Sequence, residues 1–185
     1  SAATGSLGVI IERASGSVLI IDWGRRFVVG RVEGLGDLSH ASVVFSRDER
    51  FAYVFGRDGG LSKVDILSAR VVNRVIQAGN AIGGAISDVG KLVAVSNFEP
   101  GGVRIFDADS LEPLFEIPAV AGNGERSKTV GLVDAPGRRF IYTLYDAGQI
   151  WIADFAGWKG GEPRITRYAN VGKLPYDASI TGDGR

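Results

Sequence analysis

The chain has 185 residues, 45% of them hydrophobic, which is enough to bury a core in one or two ordinary domains. Its 21 basic and 21 acidic residues cancel, so we expect a small or neutral partner and no nucleic acid. The sequence contains no cysteine, which excludes disulfides, thiolate metal sites and covalently attached haem c in this chain. A single histidine, His40, also excludes a three-histidine zinc site.

The predicted elements are short β-strands from one end of the chain to the other. Glycine is abundant at 27 residues, and the apolar stretches are short, rich in β-branched residues and separated by turn residues. No window keeps the three-four apolar spacing of a helix without an interruption by glycine, asparagine or proline. The chain is therefore predicted to be all-β.

An internal repeat organises these strands. An apolar strand that ends in aspartate recurs as SVLIID, LSKVDI, VRIFDAD and IWIADF, with intervals of 43, 42 and 47 residues between Asp22, Asp65, Asp107 and Asp154. A basic residue ahead of an apolar strand recurs with a similar period, at Arg50, Lys91, Arg139 and Arg185. A period in the low forties with four short strands per unit is typical of a β-propeller blade.

The repeat predicts about four blades. Blade two is predicted to comprise HASVVFS, RFAYVFGR, GLSKVDI and VVNRVIQA, and blade one to begin within the blade, at LGVIIER. The sequence TGDGR, at 181–185, repeats the turn with a basic residue found in the other blades and so predicts a fifth blade. We therefore expect a larger ring, of which this chain is roughly half. Open blade faces need a covering segment or partner. The repeated aspartates are expected to close turns by accepting backbone N–H groups.

His40 is the first candidate site residue, because it stands at the head of the first strand of blade two. In propellers, first strands and the loops leading into them line the mouth of the central funnel. A neutral imidazole there can bind a metal or a tetrapyrrole iron through one ring nitrogen. A structural histidine, hydrogen-bonded within its loop, remains the alternative.

Two arginines are the next candidates. Arg57 lies in the turn GRDGG, and Arg13 lies in ERASG, the corresponding turn of blade one. A guanidinium offers a planar fork that fits a carboxylate, although a solvated hairpin arginine is the ordinary alternative.

At these residues the chain resembles a known family. The segment LSHASVVFSRDERFAYVFGRDGGLSKVDI closely resembles the second-blade region of the d1-haem domain of cytochrome cd1 nitrite reductase. With VIIERASGSVLIID and GKLPYDASITGDGR, nearly the whole chain resembles the NirF family of haem d1 biosynthesis proteins, which is related to that domain.

The resemblance implies an eight-bladed propeller, with residues 1–185 forming blades one to four and the start of blade five of a single domain. It implies that haem d1 or an iron-containing late precursor is bound, with His40 as iron ligand and with Arg13 and Arg57 facing the carboxylates of the macrocycle. Implied partners are cytochrome cd1 nitrite reductase, other haem d1 assembly proteins and the remaining half of the propeller. Members are usually exported or lipid-anchored, which implies a periplasmic location and leaves a cytoplasmic one open.

The chain also departs from the nitrite reductases. Those enzymes have two distal histidines. One of them is missing here from GLVDAPGRRF, and Tyr176 stands where the other is expected. We therefore take Tyr176 as a residue that contacts the macrocycle. NAIGGAIS lacks a further macrocycle-binding arginine. Nitrite reduction is not expected. An enzyme performing a dehydrogenase-type step on the tetrapyrrole, a non-catalytic carrier or scaffold, and a generic protein-binding propeller all remain open.

Overall fold

The computed structural model describes residues 4–182 and is built from antiparallel strands after a short 3₁₀ turn, Thr4–Ser6. The first sheet contains three strands: β1 (Leu7–Glu12), β2 (Ser17–Asp22) and β3 (Phe27–Val32). The second contains β4 (Ser42–Phe45), β5 (Phe51–Phe55), β6 (Gly60–Asp65) and β7 (Arg70–Ile76). The third contains β8 (Asn80–Ile86), β9 (Leu92–Glu99), β10 (Val103–Asp107) and β11 (Pro113–Ile117). The fourth contains β12 (Thr129–Ala135), β13 (Arg139–Leu144), β14 (Gln149–Asp154) and β15 (Arg164–Tyr168).

Each sheet is a simple meander in which every strand pairs with the next along the chain. The predicted all-β propeller architecture is confirmed, and the four segments predicted for blade two fall on β4 to β7. Blade one has three strands here, because β1 corresponds to the second strand of the other blades. The number of blades in a complete ring stays a prediction.

The core lies between successive blades, because each strand sends alternate side chains to opposite faces of its sheet. In β5, Ala52 and Val54 pack towards blade one, whereas Tyr53 and Phe55 pack towards blade three. A third cluster, around Trp151, fills the space between blades three and four. All six residues of β6 are buried, as expected for a strand covered on both faces.

The repeated aspartates close turns as predicted. Asp107 Oδ1 accepts the amides of Asp109 at 2.9 Å and Ser110 at 2.8 Å. The corresponding oxygens of the other three accept the amides of Arg25, Leu67 and Ala156. The basic residues are less uniform: Arg50 pairs with Asp65 at 3.0 Å, whereas Arg139 donates to the carbonyl of Pro136. Arg185 lies outside the described residues.

The meanders give the molecule two distinct ends. Connections from the second to the third strand of a blade, and from one blade to the next, lie at one end, which we call the upper face. The remaining turns form the lower face. The first strands β4, β8 and β12 contact one another in that order. Beyond β15 the chain returns to β12, where the Gly131 amide donates to the Tyr176 carbonyl at 2.8 Å.

Candidate functional site

All four predicted site residues lie on connections at the upper face. Arg13 is in the β1–β2 turn, His40 is in the β3–β4 connection, and Arg57 is in the β5–β6 turn. Tyr176 follows β15, further along the arc of blades. The topology therefore places the four residues on one end of the molecule, although they come from distant parts of the sequence.

The β3–β4 connection joins three of these residues into one group. Its Leu35 amide donates to Gly16, in the turn of Arg13, at 3.0 Å. Its Asp37 carbonyl accepts the Arg57 amide at 2.8 Å. Leu35 and Leu38 are fully buried and anchor the connection, whereas Asp37 and His40 are exposed.

Glycine makes the Arg57 turn possible. Gly59 has a φ of 81°, and a Cβ atom there would lie 1.6 Å from the carbonyl oxygen of Ala78. Only glycine combines this left-handed backbone with such a close approach. The glycines that marked this turn in the sequence thus permit the tight backbone conformation of the turn that carries Arg57.

Asp37 is a further component of the group. Its carboxylate Oδ1 accepts the Ser39 amide at 2.8 Å, which forms a tight turn directly before His40. The Ser39 hydroxyl and amide, assisted by the nearby charges of Arg57 and Arg13, hold the pKa of Asp37 below its ordinary value. The sequence carried a weak signal for this role, an aspartate two residues before a serine, which is common in turns of no functional significance.

The three side chains that could bind a ligand are unengaged. His40, Arg13 and Arg57 are exposed, and none forms a side-chain hydrogen bond or ion pair within residues 4–182. Arg74, by contrast, donates to Asp58 at 2.7 Å and has a structural role. Two exposed arginines carried on one face are suited to an anionic ligand, whose carboxylates they can bind through charge-assisted hydrogen bonds.

Within residues 4–182, His40 does not belong to a set of protein ligands that could hold a bare metal ion. Residues 4–182 contain no group of three or more histidine, aspartate or glutamate side chains with suitable geometry. An exposed imidazole without such neighbours fits a metal that brings its own equatorial ligands, as the iron of a tetrapyrrole does. The donor set therefore fits an iron macrocycle better than a free ion.

Tyr176 belongs to a second group, separate from the His40 group. Its ring meets the Tyr145 ring edge-on at 6.2 Å, while its carbonyl is fixed by the Gly131 amide and the Thr143 hydroxyl. The Lys128 ammonium lies 5.4 Å from the Phe98 ring and 6.0 Å from the Tyr145 ring. We call these residues the far-arc cluster: Phe98, Lys128, Tyr145 and Tyr176.

The sequence matches the family model of the cytochrome D1 heme domain over residues 2–185, and the chain belongs to this family. It is similar to Protein NirF of Pseudomonas aeruginosa, with 60% identity over 184 residues, which are 98% of this chain and 46% of that protein. Protein NirF of Stutzerimonas stutzeri is 57% identical over the same shares of the two chains. The chain thus spans a little under half the length of these relatives. The resemblance to NirF proteins inferred from the sequence is confirmed.

More distant relatives agree with this assignment. The dihydro-heme d1 dehydrogenase of Pseudomonas aeruginosa is 31% identical over 97% of this chain and 36% of that protein. A solved structure of the dihydro-heme d1 dehydrogenase NirN in complex with DHE superposes with a TM-score of 0.87 at 29% identity, covering all of this chain and 39% of that one. The chain also superposes on the β-propeller domain of Swd1 from Myceliophteria thermophila with a TM-score of 0.77, covering 96% of this chain and 59% of that one. Because the identity is 16%, this similarity supports the fold alone.

Proposed function

We propose that the protein containing this chain binds haem d1 or an iron-containing late precursor and takes part in haem d1 biosynthesis. One observation carries the proposal: His40, Arg13 and Arg57 stand unengaged on one face, tied together by a single connection. The names of the relatives, which include a dihydro-heme d1 dehydrogenase, support this choice of tetrapyrrole.

Each side chain has a defined part in this proposal. The neutral imidazole of His40 donates a nitrogen lone pair to the iron, and Arg13 and Arg57 bind the peripheral carboxylates. Tyr176 contacts the macrocycle from the far-arc cluster. When bound, the macrocycle supplies a redox-active iron and a conjugated ring, while the chain supplies orientation and charge.

The proposed activity is biosynthetic, and nitrite reduction by this chain is not part of the proposal. His40 is its single histidine, so an imidazole that binds iron leaves no second imidazole within residues 1–185 to protonate a substrate. The enzymatic form of the proposal is a dehydrogenase-type step, in which a macrocycle side chain loses two electrons and two protons to an external electron acceptor, and the similarity to a dehydrogenase favours it.

A non-catalytic carrier or scaffold is the second candidate. The exposure of His40, Arg13 and Arg57 favours it, because exposed groups can accept and release a flat ligand. Product analysis separates the two: a chemically altered tetrapyrrole under turnover identifies an enzyme, and transfer of an unchanged one to nitrite reductase identifies a carrier.

We further propose that residues 1–185 form blades one to four and the start of blade five of one eight-bladed ring. The chain's share of its relatives' length supports this proposal. So does the exposed apolar face of blade one, where Ile10, Trp23 and Val28 are each more than two-fifths accessible.

No helix within residues 4–182 is long and apolar enough to cross a membrane. We propose a periplasmic location, with cytochrome cd1 nitrite reductase and other haem d1 assembly proteins as partners.

The binding proposal is tested by titrating the full-length protein with haem d1 and following the absorption spectrum. We expect His40→Ala to lose the spectral signature of imidazole ligation. We expect Arg57→Gln to weaken binding by about 10-fold or more, since it removes a charge-assisted hydrogen bond. The matched control is Arg25→Gln, an exposed arginine in the β2–β3 turn of the lower face, which should bind as wild type does. Unchanged spectra and affinities in both upper-face variants would exclude this site.

A further inference from the structure

Asp37 places a fixed negative charge among the groups that would hold the ligand. Its backbone carbonyl accepts the Arg57 amide at 2.8 Å, so the residue lies directly against the Arg57 turn. Its carboxylate feels the charges of both Arg57 and Arg13, yet forms no ion pair with either within 4 Å in residues 4–182. An anionic ligand bound by these arginines would therefore also interact with the charge of Asp37.

The same carboxylate shapes the backbone that leads to His40. Its Oδ1 accepts the Ser39 amide at 2.8 Å and so closes the turn one residue before His40. The next anchor is Leu38, whose side chain is fully buried. One side-chain hydrogen bond and one buried leucine thus constrain the backbone over the three residues before His40.

We infer that Asp37 is a positioning residue with two separable effects: its hydrogen bond orients His40, and its charge weakens the hold of Arg13 and Arg57 on an anionic tetrapyrrole. The inference rests on the proposed function and deepens it. Partial neutralisation of the two arginines lowers affinity and speeds release, which suits a protein that hands its ligand on. The ligand class it concerns is a tetrapyrrole with free peripheral carboxylates.

Two substitutions separate the effects. Asp37→Asn keeps an oxygen that accepts the Ser39 amide but removes the charge, so the turn is retained and the arginines are released from their counter-charge. Asp37→Ala removes both. For haem d1 we expect Asp37→Asn to bind about 3- to 10-fold more tightly than wild type, mainly through slower dissociation, with the gain decreasing at high salt.

The absorption spectrum reports the orienting effect separately. Asp37→Asn should show the same imidazole-ligated spectrum as wild type, whereas Asp37→Ala should show a mixture of ligated and unligated forms. Rescue of the spectrum by asparagine, but not by alanine, is a result that loss of charge alone does not produce. Identical spectra for the alanine variant and wild type would overturn the orienting role.

The matched control is Asp109→Asn, which removes the same charge from an exposed turn on the lower face. It should leave affinity, dissociation rate and spectrum unchanged. A second probe, haem d1 with its carboxylates methyl-esterified, should abolish the gain shown by Asp37→Asn, because no ligand charge then faces Asp37.

The outcomes distinguish this inference from the proposed function. Failure of the wild-type protein to bind haem d1 overturns the proposed function, and this inference with it. Binding by wild type together with equal or weaker binding by Asp37→Asn overturns only the charge effect of Asp37. Tighter binding by Asp37→Asn that persists with the esterified probe also overturns it.

Discussion

At the residue scale, Asp107 shows how one carboxylate closes the turn after the third strand of a blade. Hydrogen bonding by the Ser110 amide, followed by the Asp109 amide and the Ser110 hydroxyl, holds the pKa of Asp107 below its ordinary value. The folded state therefore favours the ionised carboxylate. A lowered pKa contributes stability that is present above the pKa of the unfolded chain and is lost as pH falls through the folded value.

Asp107→Ala should lower the free energy of unfolding by about 1–2 kcal/mol near neutral pH, because it leaves two turn amides without their acceptor. The difference from wild type should shrink as the pH falls below about 4, where the unfolded chain and then the folded chain bind the proton. Thermal unfolding measured from pH 7 to pH 3 checks this expectation. A difference that does not change with pH would show that the charge of Asp107 contributes nothing.

The site residues differ in how far the sequence could predict them. Arg57 and Arg13 lie beside glycine-marked turns, and His40 heads a strand placed by the repeat, whereas their part in one ligand site was implied by the family resemblance alone. Asp37 could not be singled out, because its role depends on a backbone contact with Arg57 across twenty residues of sequence. No local pattern records that contact.

At the element scale, buried hydroxyl groups join blade three to blade four and blade four to the segment that follows it. Ser96 on β9 donates to the Val130 carbonyl on β12 at 3.0 Å. Thr143 on β13 repeats this arrangement one blade later, accepting the Gly131 amide at 2.9 Å and donating to the Tyr176 carbonyl at 3.2 Å. These bonds fix the backbone beside Tyr176 while its ring remains exposed.

Thr143→Val keeps the shape of the side chain but removes the hydroxyl. We expect it to cost about 1 kcal/mol, because the Gly131 amide loses one of its two acceptors and the Tyr176 carbonyl loses one of its two donors, while the bond between that amide and that carbonyl remains. Amide hydrogen exchange around 176–178 should rise selectively. Thr166→Val on the exposed outer strand β15 is the matched control and should change neither quantity. Equal exchange in both variants would contradict the role of Thr143.

The strands themselves were predictable, because alternating apolar residues and a repeated terminal aspartate mark them in blades two to four. The contacts between blades were not. Arg47, for example, donates to Asp134 at 2.7 Å across 87 residues of sequence, and also to the Ile86 carbonyl. The sequence contains no periodic signal that relates these positions.

At the scale of the whole molecule, hydrogen bonds on the lower face, such as those of Arg47 to Ile86 and Asp134, hold blades two, three and four in an arc. The arc carries the His40 group on blades one and two and the far-arc cluster on blades three to five. A flat ligand that contacts both groups requires this spacing to persist. The proposed ring would supply the opposite arc and cover the exposed face of blade one.

The ring proposal predicts that Trp23, which is 66% accessible here, is covered in the full-length protein. In hydroxyl-radical footprinting of that protein, Trp23 should be oxidised almost as slowly as the buried Trp151. Oxidation of Trp23 faster than that of the partly buried Trp158 would show that no further blade packs there.

The central claim is that His40 binds the iron of a d1-type tetrapyrrole, and chemical rescue tests it most directly. The full-length His40→Gly variant, loaded with haem d1, should lack the absorption and resonance Raman signature of imidazole ligation shown by wild type. Added free imidazole should restore that signature by occupying the space left by the side chain. A His40→Gly complex with the wild-type signature before imidazole is added would contradict the claim.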